Sequence, residues 1–149
     1  MFSRNSSPEK PSFEICAAES QELAERLGAE IAARFGAREE TPLNLVLRDE
    51  NGALICGLNG VIHWRWLYIR QLWVAPTRRG QGLATDVMAA AQEAARARGA
   101  VGAYIDTFDA GVAAFYERLG FARVGEIADF PPGGRRIFLS KRLAPSVPR

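Results

Sequence analysis

Cysteine is scarce in this chain of 149 residues. The only two, Cys16 and Cys56, lie in separate apolar segments without a CxxC pattern or a His/Cys cluster. That excludes a disulfide framework and a thiolate zinc site, and makes a reducing compartment the default. Both cysteines read as small buried apolar residues. Histidine occurs once, at His63, with no partner pattern for a metal or a triad, so it reads as structural. No apolar run approaches the roughly 20 residues needed to cross a bilayer, and Met1 to Ser12 is polar without an apolar signal core. The expected location is therefore cytoplasmic, away from membranes. An excess of one charge is also missing: 19 basic against 17 acidic residues leave +2, too little to create a field for nucleic acid or anionic lipid. Lysine is nearly absent, since only Lys10 and Lys141 occur among the 19 cationic residues. The arginine bias suits rigid recognition of phosphate or carboxylate, although the many alanines beside it point to a coding preference. Internal repeats and low-complexity tracts are lacking, and 48% hydrophobic with 24% charged residues is ordinary for one globular domain.

What is present is a mixed pattern. After a leader over residues 1–12, Phe13 to Cys16 reads as a short strand. Ser20 stands at a helix N-cap position with Glu22 in the first turn. Leu23, Leu27, Ile31 and Phe35 then predict a helix with one buried stripe, stopped by Gly36. Leu43 to Leu47 forms a strand, and Asn51-Gly52 between apolar runs is a strong hairpin signal. A further strand runs from Ala53 to about Leu58, where Asn59-Gly60 reads as a bulge or second turn. Val61 to Val74 is rich in aromatic and β-branched residues and holds one or two more strands. Trp64, Trp66 and Tyr68 fall at period 2 and so share a strand face.

From Pro76 the period changes to 3.6. Leu83, Val87, Ala91 and Ala94 line a helix from about Leu83 to Arg98, ended by Gly99. Ala103 to Phe108 is a strand, Val112 to Leu119 a helix closed by Gly120, and Arg123 to Ile127 and Arg136 to Leu143 are closing strands. This order predicts an α/β (mixed α+β) domain over residues 13–143, followed by a tail over 144–149. Its central mixed, largely antiparallel sheet has six to seven strands with helices on both faces.

The chemistry is written between Leu72 and Ala84, where an apolar strand passes through the basic, glycine-containing turn Arg78-Arg79-Gly80-Gln81-Gly82 into a helix. A helix start offers unpartnered N–H groups and the positive end of the dipole, and Gly80 and Gly82 let a phosphate approach the backbone. A solvated strand-to-helix turn is the plain alternative. No GxxxxGK[ST] and no GxGxxG with a following acid is present, so P-loop and dinucleotide readings fail.

The sequence here resembles the GNAT N-acetyltransferase superfamily. Its signature, Arg or Gln, two residues, Gly, one residue, then Gly or Ala, is matched by Arg79, Gly82 and Ala84. Val74-x-Pro76 resembles the usual approach to that loop, and Phe115-Tyr116-Glu117-Arg118-Leu119-Gly120-Phe121 resembles the second hallmark of the family. Asp106-Thr107-Phe108, Pro131-Pro132-Gly133-Gly134 and Arg136-Ile137-Phe138 are similar to one group of small bacterial members. The resemblance implies a GNAT-type fold and acetyl-CoA as cosubstrate, without a metal. The site it implies for acetyl-CoA comprises Trp73, Val74, Arg78, Arg79, Gly80, Gln81, Gly82, Leu83, Ala84, Thr85, Asp109, Phe115 and Tyr116. Residues 79–84 would hold the pyrophosphate, and the backbone of Trp73 and Val74 the acetyl carbonyl and pantetheine amides. In the family a bulge splays this strand from the next.

Tyr116 is the candidate general acid for the leaving thiolate. Phe115 and Leu119 already make that helix's core stripe, so Tyr116 projects elsewhere. An ammonium acceptor with a pKa of about 10.4 must lose a proton, which costs roughly 4 to 5 kcal/mol at pH 7. Asp106 is the first candidate base, ahead of Glu39, Glu40 and Asp109. Two positions depart from the family. Arg70 stands on the central strand where related sequences often carry an acid, and Asp109 where many have Asn. Arg70 either attracts an anionic acceptor or pairs with a neighbouring carboxylate, the pairing being the plainer expectation.

The expected activity is acetyl transfer from acetyl-CoA to a primary amine, directly within a ternary complex. The alternative is a non-catalytic acyl-CoA-binding sensor or interaction module, against which a chain holding only this domain argues. Expected partners are acetyl-CoA and an amine acceptor, with no nucleic acid or membrane. A homodimer is left open by analogy with the family.

Overall fold

A computed structural model describes residues 10–145. Residues 1–9 of the expected leader and 146–149 of the expected tail lie outside the described residues. The chain divides into two units, residues 1–37 and 38–149.

The first unit contains α1 (Gln21–Phe35), started by Ser20, whose hydroxyl accepts from the Leu23 N–H, and ended at Gly36, where φ is 87°. Both helix boundaries follow from the capping chemistry read in the sequence. Within this unit no residue of α1 is buried, so the unit by itself gives the expected stripe no cover. Phe13 to Cys16 is not a strand. A strand needs a partner for its backbone groups, and Phe13, Ile15 and Cys16 are exposed. Of the two cysteines only Cys56 is buried as expected.

The second unit runs β1 (Thr41–Arg48), β2 (Leu54–His63), β3 (Trp66–Val74), α2 (Leu83–Ala97), β4 (Gly102–Thr107), α3 (Ala110–Arg118), β5 (Ala122–Ala128) and β6 (Arg135–Arg142). The sheet order is β1-β2-β3-β4-β6-β5. Only β3 and β4 are parallel; the other neighbours are antiparallel. At the β1–β2 hairpin, Asp49 Oδ1 accepts from the N–H groups of Asn51 and Ala53, and Gly52 takes the left-handed conformation.

The next hairpin differs from expectation. His63 pairs with Trp66, so the chain reverses at Trp64 and Arg65, both at positive φ (44° and 64°). Trp64 therefore does not share a strand face with Trp66 and Tyr68. Such a turn normally uses Asn or Gly. Here tertiary hydrogen bonds secure it: the Trp64 N–H donates to Arg38 O, Arg65 Nε to Gly99 O, and the Val101 N–H to Arg65 O.

Helix α2 packs on β1–β3 and α3 on β4–β6. They lie on the same face, since Lys141 of β6 donates both to Gln92 Oε1 of α2 (3.0 Å) and to Leu119 O at the end of α3 (2.8 Å). The core between sheet and helices holds Leu58, Leu67, Ile69, Met88, Ile105, Ile137 and Leu139, with Ala91, Ala95, Ala103 and Ala113 fully buried where the layers meet. Small residues there let the layers approach closely. The buried face of α2 is Met88, Ala91, Gln92 and Ala95, turned from the expected Leu83, Val87, Ala91 and Ala94. Gln92 can be buried because Lys141 satisfies its carbonyl.

Candidate active site

The site begins with an interruption in the sheet. β3 and β4 pair from Trp66–Gly102 to Ile69–Ile105 and then part. Beyond that point Gln71–Val74 pairs only with β2, and Asp106 and Thr107 only with β6. The cause is a bulge: Asn59 pairs with Gln71 and Gly60 with Ile69, leaving Arg70 unmatched. A bulge bends its strand and increases the local twist, which turns the end of β3 away from β4. Asn59-Gly60, read as a bulge or a turn, lies in an unbroken β2 opposite the extra residue.

On the helix side of this fork lies a cavity of about 350 Å³. Its lining contains Trp73, Val74, Arg78, Arg79, Gly80, Gly82, Leu83, Ala84, Thr85, Phe115 and Tyr116 from the expected site, together with Leu72 and Val112. Gln81 is not in the lining; it accepts from Arg78 Nε at 3.3 Å and so braces the loop. Asp109 is also outside the lining. It caps α3, with Oδ1 accepting from the N–H groups of Gly111 (2.7 Å) and Val112 (3.1 Å).

Gly82 is the N-cap of α2, left-handed at φ 82°, and no side chain caps this helix. The first helical hydrogen bond is Asp86 N–H to Gly82 O, so the N–H groups of Leu83, Ala84 and Thr85 have no intrahelical partner. Gly80 is also left-handed, and a Cβ at either glycine would meet open space. Arg79 folds back, donating from Nε to Val74 O at 3.0 Å, which ties the loop to the arm of the fork. The donor set suits a diphosphate: unsatisfied N–H groups at the positive end of a helix, beside two arginines.

Tyr116 sits on the opposite wall of the cavity, 5% exposed. Its phenol hydrogen-bonds to no other described residue. Burial first, and then the nearby negative charge of Asp106, push its pKa up to about 12, so at neutral pH it is a neutral donor directed at the cleft.

A second group of polar residues lies on the face away from α2 and α3. Asp106 accepts from Tyr68 Oη at Oδ1 (2.9 Å) and from Arg136 Nε at Oδ2 (2.7 Å). Arg136 is itself enclosed, its guanidinium carbon 5.1–5.7 Å from the ring centres of Phe108, Phe130 and Phe138. The Tyr68 and Tyr104 rings stack at 4.6 Å. Tyr104 Oη lies 2.7 Å from His63 Nε2, and Arg38 Nε donates to His63 Nδ1 at 3.1 Å. That arrangement places the His63 proton on Nε2, donating to Tyr104. Burial, and then the Arg38 charge, lower the His63 pKa, keeping the ring neutral. Both phenols are pushed up, mainly by burial, with Asp106 adding to the effect at Tyr68.

Of the other carboxylates considered, Glu40 pairs with Arg38 at 3.0 Å, and Glu39 is exposed at positive φ. Tyr104 carries no motif of its own in the sequence; its place two residues before Asp106 on one strand is the signal that marks it. Among the described residues no three or more potential metal ligands cluster, and no helix is long and apolar enough to cross a membrane.

Comparison with known proteins agrees with this geometry. The family model described as "Acetyltransferase (GNAT) family" matches residues 8–121. An acetyltransferase of Agrobacterium fabrum is 39% identical over 111 residues, spanning 74% of this chain and 81% of the relative. The blasticidin-S acetyltransferase of Streptomyces morookaense is 38% identical over 95 residues, 63% of this chain and 70% of the relative. The crystal structure of a protein assigned as an acetyltransferase from Agrobacterium tumefaciens superposes with a TM-score of 0.78 at 34% identity, covering 89% of this chain and 99% of that one. A forked sheet, a glycine loop at an uncapped helix start and these similarities converge: the chain belongs to the GNAT acetyltransferase family.

Proposed function

We propose that this acetyltransferase is a cytoplasmic enzyme that moves the acetyl group of acetyl-CoA directly to a primary amine of a small molecule, with both substrates bound together. The observation that carries this reading is the β3–β4 fork, opening beside the unsatisfied N-terminus of α2 with Tyr116 on its wall. A relative that acetylates blasticidin S supports a free small molecule as acceptor.

Acetyl-CoA supplies an acetyl group already activated on a thiol. The N–H groups of Leu83, Ala84 and Thr85, with Arg78 and Arg79, bind its diphosphate. The backbone of Trp73 and Val74, on the arm of β3 that has left β4, orients the amide-bearing part. Tyr116 faces the departing sulfur. With a pKa of about 12 against about 8.5 for a thiol, complete proton transfer is uphill by roughly 5 kcal/mol. Tyr116 therefore steadies the developing thiolate by a hydrogen bond, and water completes the protonation. Asp106 is the candidate base. After accepting from Tyr68 and Arg136, each of its oxygens keeps one lone pair for the acceptor amine or a water beside it.

The test combines calorimetry with a thiol-release assay on a panel of amines. We expect acetyl-CoA binding, turnover with some amines, and a Tyr116→Phe variant with unchanged affinity and a kcat about a hundredfold lower. Failure of the folded wild type to bind acetyl-CoA would overturn the proposal. Binding without turnover on any amine would favour the sensor-module alternative.

A further inference from the structure

Arg70 and Asp106 are the first residues beyond the last β3–β4 pair, one on each arm of the fork. Had the ladder continued, the two would have faced each other as a cross-strand ion pair. Instead each oxygen of Asp106 accepts a bond from elsewhere, Oδ1 from Tyr68 and Oδ2 from Arg136. Arg70 is exposed and forms no hydrogen bond or ion pair with any described residue. The plainer sequence expectation, pairing with a neighbouring carboxylate, is thus not met. Arg70 is also the bulge residue, and bulges re-aim side chains beside sites.

The charges around it pair off and leave Arg70 over. Arg38 is matched by Glu40 and Arg136 by Asp106. His63 is kept neutral, and the Arg70 charge is felt at both His63 and Tyr104, on the face away from α2 and α3. Among the described residues, that leaves the Arg70 guanidinium at the mouth of the fork without a carboxylate partner. A single planar cation suits one carboxylate, which it binds by two parallel N–H bonds.

Building on the proposed acetyl transfer, we infer that Arg70 anchors a carboxylate of the acceptor, so that the compound acetylated is an amine that also carries a carboxylate. Arg70 is then a specificity determinant, and the arm of β3 that departs from β4 serves the acceptor as well as the cofactor.

The experiment compares matched pairs that differ by a carboxylate: tyrosine and tyramine, arginine and agmatine, lysine and cadaverine. Wild type, Arg70→Gln and Arg70→Lys are assayed for kcat and KM. The carboxylated member of the preferred pair should have a kcat/KM about tenfold or more above its partner, the scale of one charge-assisted contact. Arg70→Gln should remove that preference by raising KM for the carboxylated member alone, and Arg70→Lys should restore part of it. Equal losses for both members, or no preference in wild type, would overturn the inference; the former would mean that Arg70 acts on the amine through its field. Calorimetry of the same compounds on the CoA-loaded protein separates this from failure of the transfer reading. If no pair turns over, that counts against transfer to these amines, while carboxylate binding lost in Arg70→Gln still supports the anchor and unchanged binding refutes it.

Discussion

Substitution of Gly82 separates the cost of a backbone conformation from the loss of a binding site. Gly82 is left-handed at φ 82° and ψ 6°, and an added Cβ has nothing within 4 Å. Gly82→Ala therefore meets no clash and carries only the left-handed penalty of about 1–2 kcal/mol, which for a chain of this size lowers Tm by roughly 3–6 °C. Gly82→Glu carries the same penalty but sets a carboxylate beside the open N–H groups of Leu83, Ala84 and Thr85, recovering about 0.3–1 kcal/mol from the dipole. The Glu variant should thus be at least as stable as the Ala variant. Affinity should run the other way, because that carboxylate occupies and repels the diphosphate position. We expect acetyl-CoA binding within a few-fold of wild type for Ala and at least about a hundredfold weaker for Glu, a difference of roughly 2.7 kcal/mol. Thermal melts with calorimetric titrations decide the matter. Comparable affinity in the two variants, or affinity that simply tracks Tm, would refute the diphosphate assignment.

Two further outcomes follow from buried polar groups. Tyr116 holds its proton up to about pH 12 in the folded chain but only to about 10 when unfolded. Between these values the native state binds more protons, so stability falls as pH rises through the window, by ~3 kcal/mol in total. Urea titrations of wild type and Tyr116→Phe at pH 9.5 and 11 should diverge, and parallel curves would contradict the burial argument. Lys141→Ala leaves Gln92 Oε1 and Leu119 O without their donor and should cost about 2 kcal/mol. Adding Gln92→Leu to Lys141→Met should recover part of the loss in the same assay, and strict additivity of the two changes would count against the pairing.

Local chemistry carried the sequence reading a long way. Ser20, Gly36, Asn51-Gly52 and the Arg79–Ala84 loop each express a conformation within a few residues, and each lies where expected. The misses share a different cause. The Trp64–Arg65 reversal contains no Asn or Gly, and its hydrogen bonds come from Arg38, Gly99 and Val101, so no local pattern announces it. The face of α2 is turned because a glutamine is buried against a lysine 49 positions later. Asp106 was legible as a candidate base but not its engagement, since Arg136 is 30 residues away. Phe13 to Cys16 has strand composition without a strand partner, which composition alone cannot supply.

The parting of β3 from β4 creates an edge inside a sheet. An ordinary edge strand presents free N–H and C=O groups to any passing chain and invites aggregation. Here the two edges face each other between strands held by β2 and β6, so their free groups are offered to the inside of the fork. A guest must enter between the two arms to use those groups. The fork thus selects by how a guest enters before any side chain acts. Narrowing it by deleting the extra residue at position 70 should close that entry while leaving both flanking ladders in register with their outer neighbours.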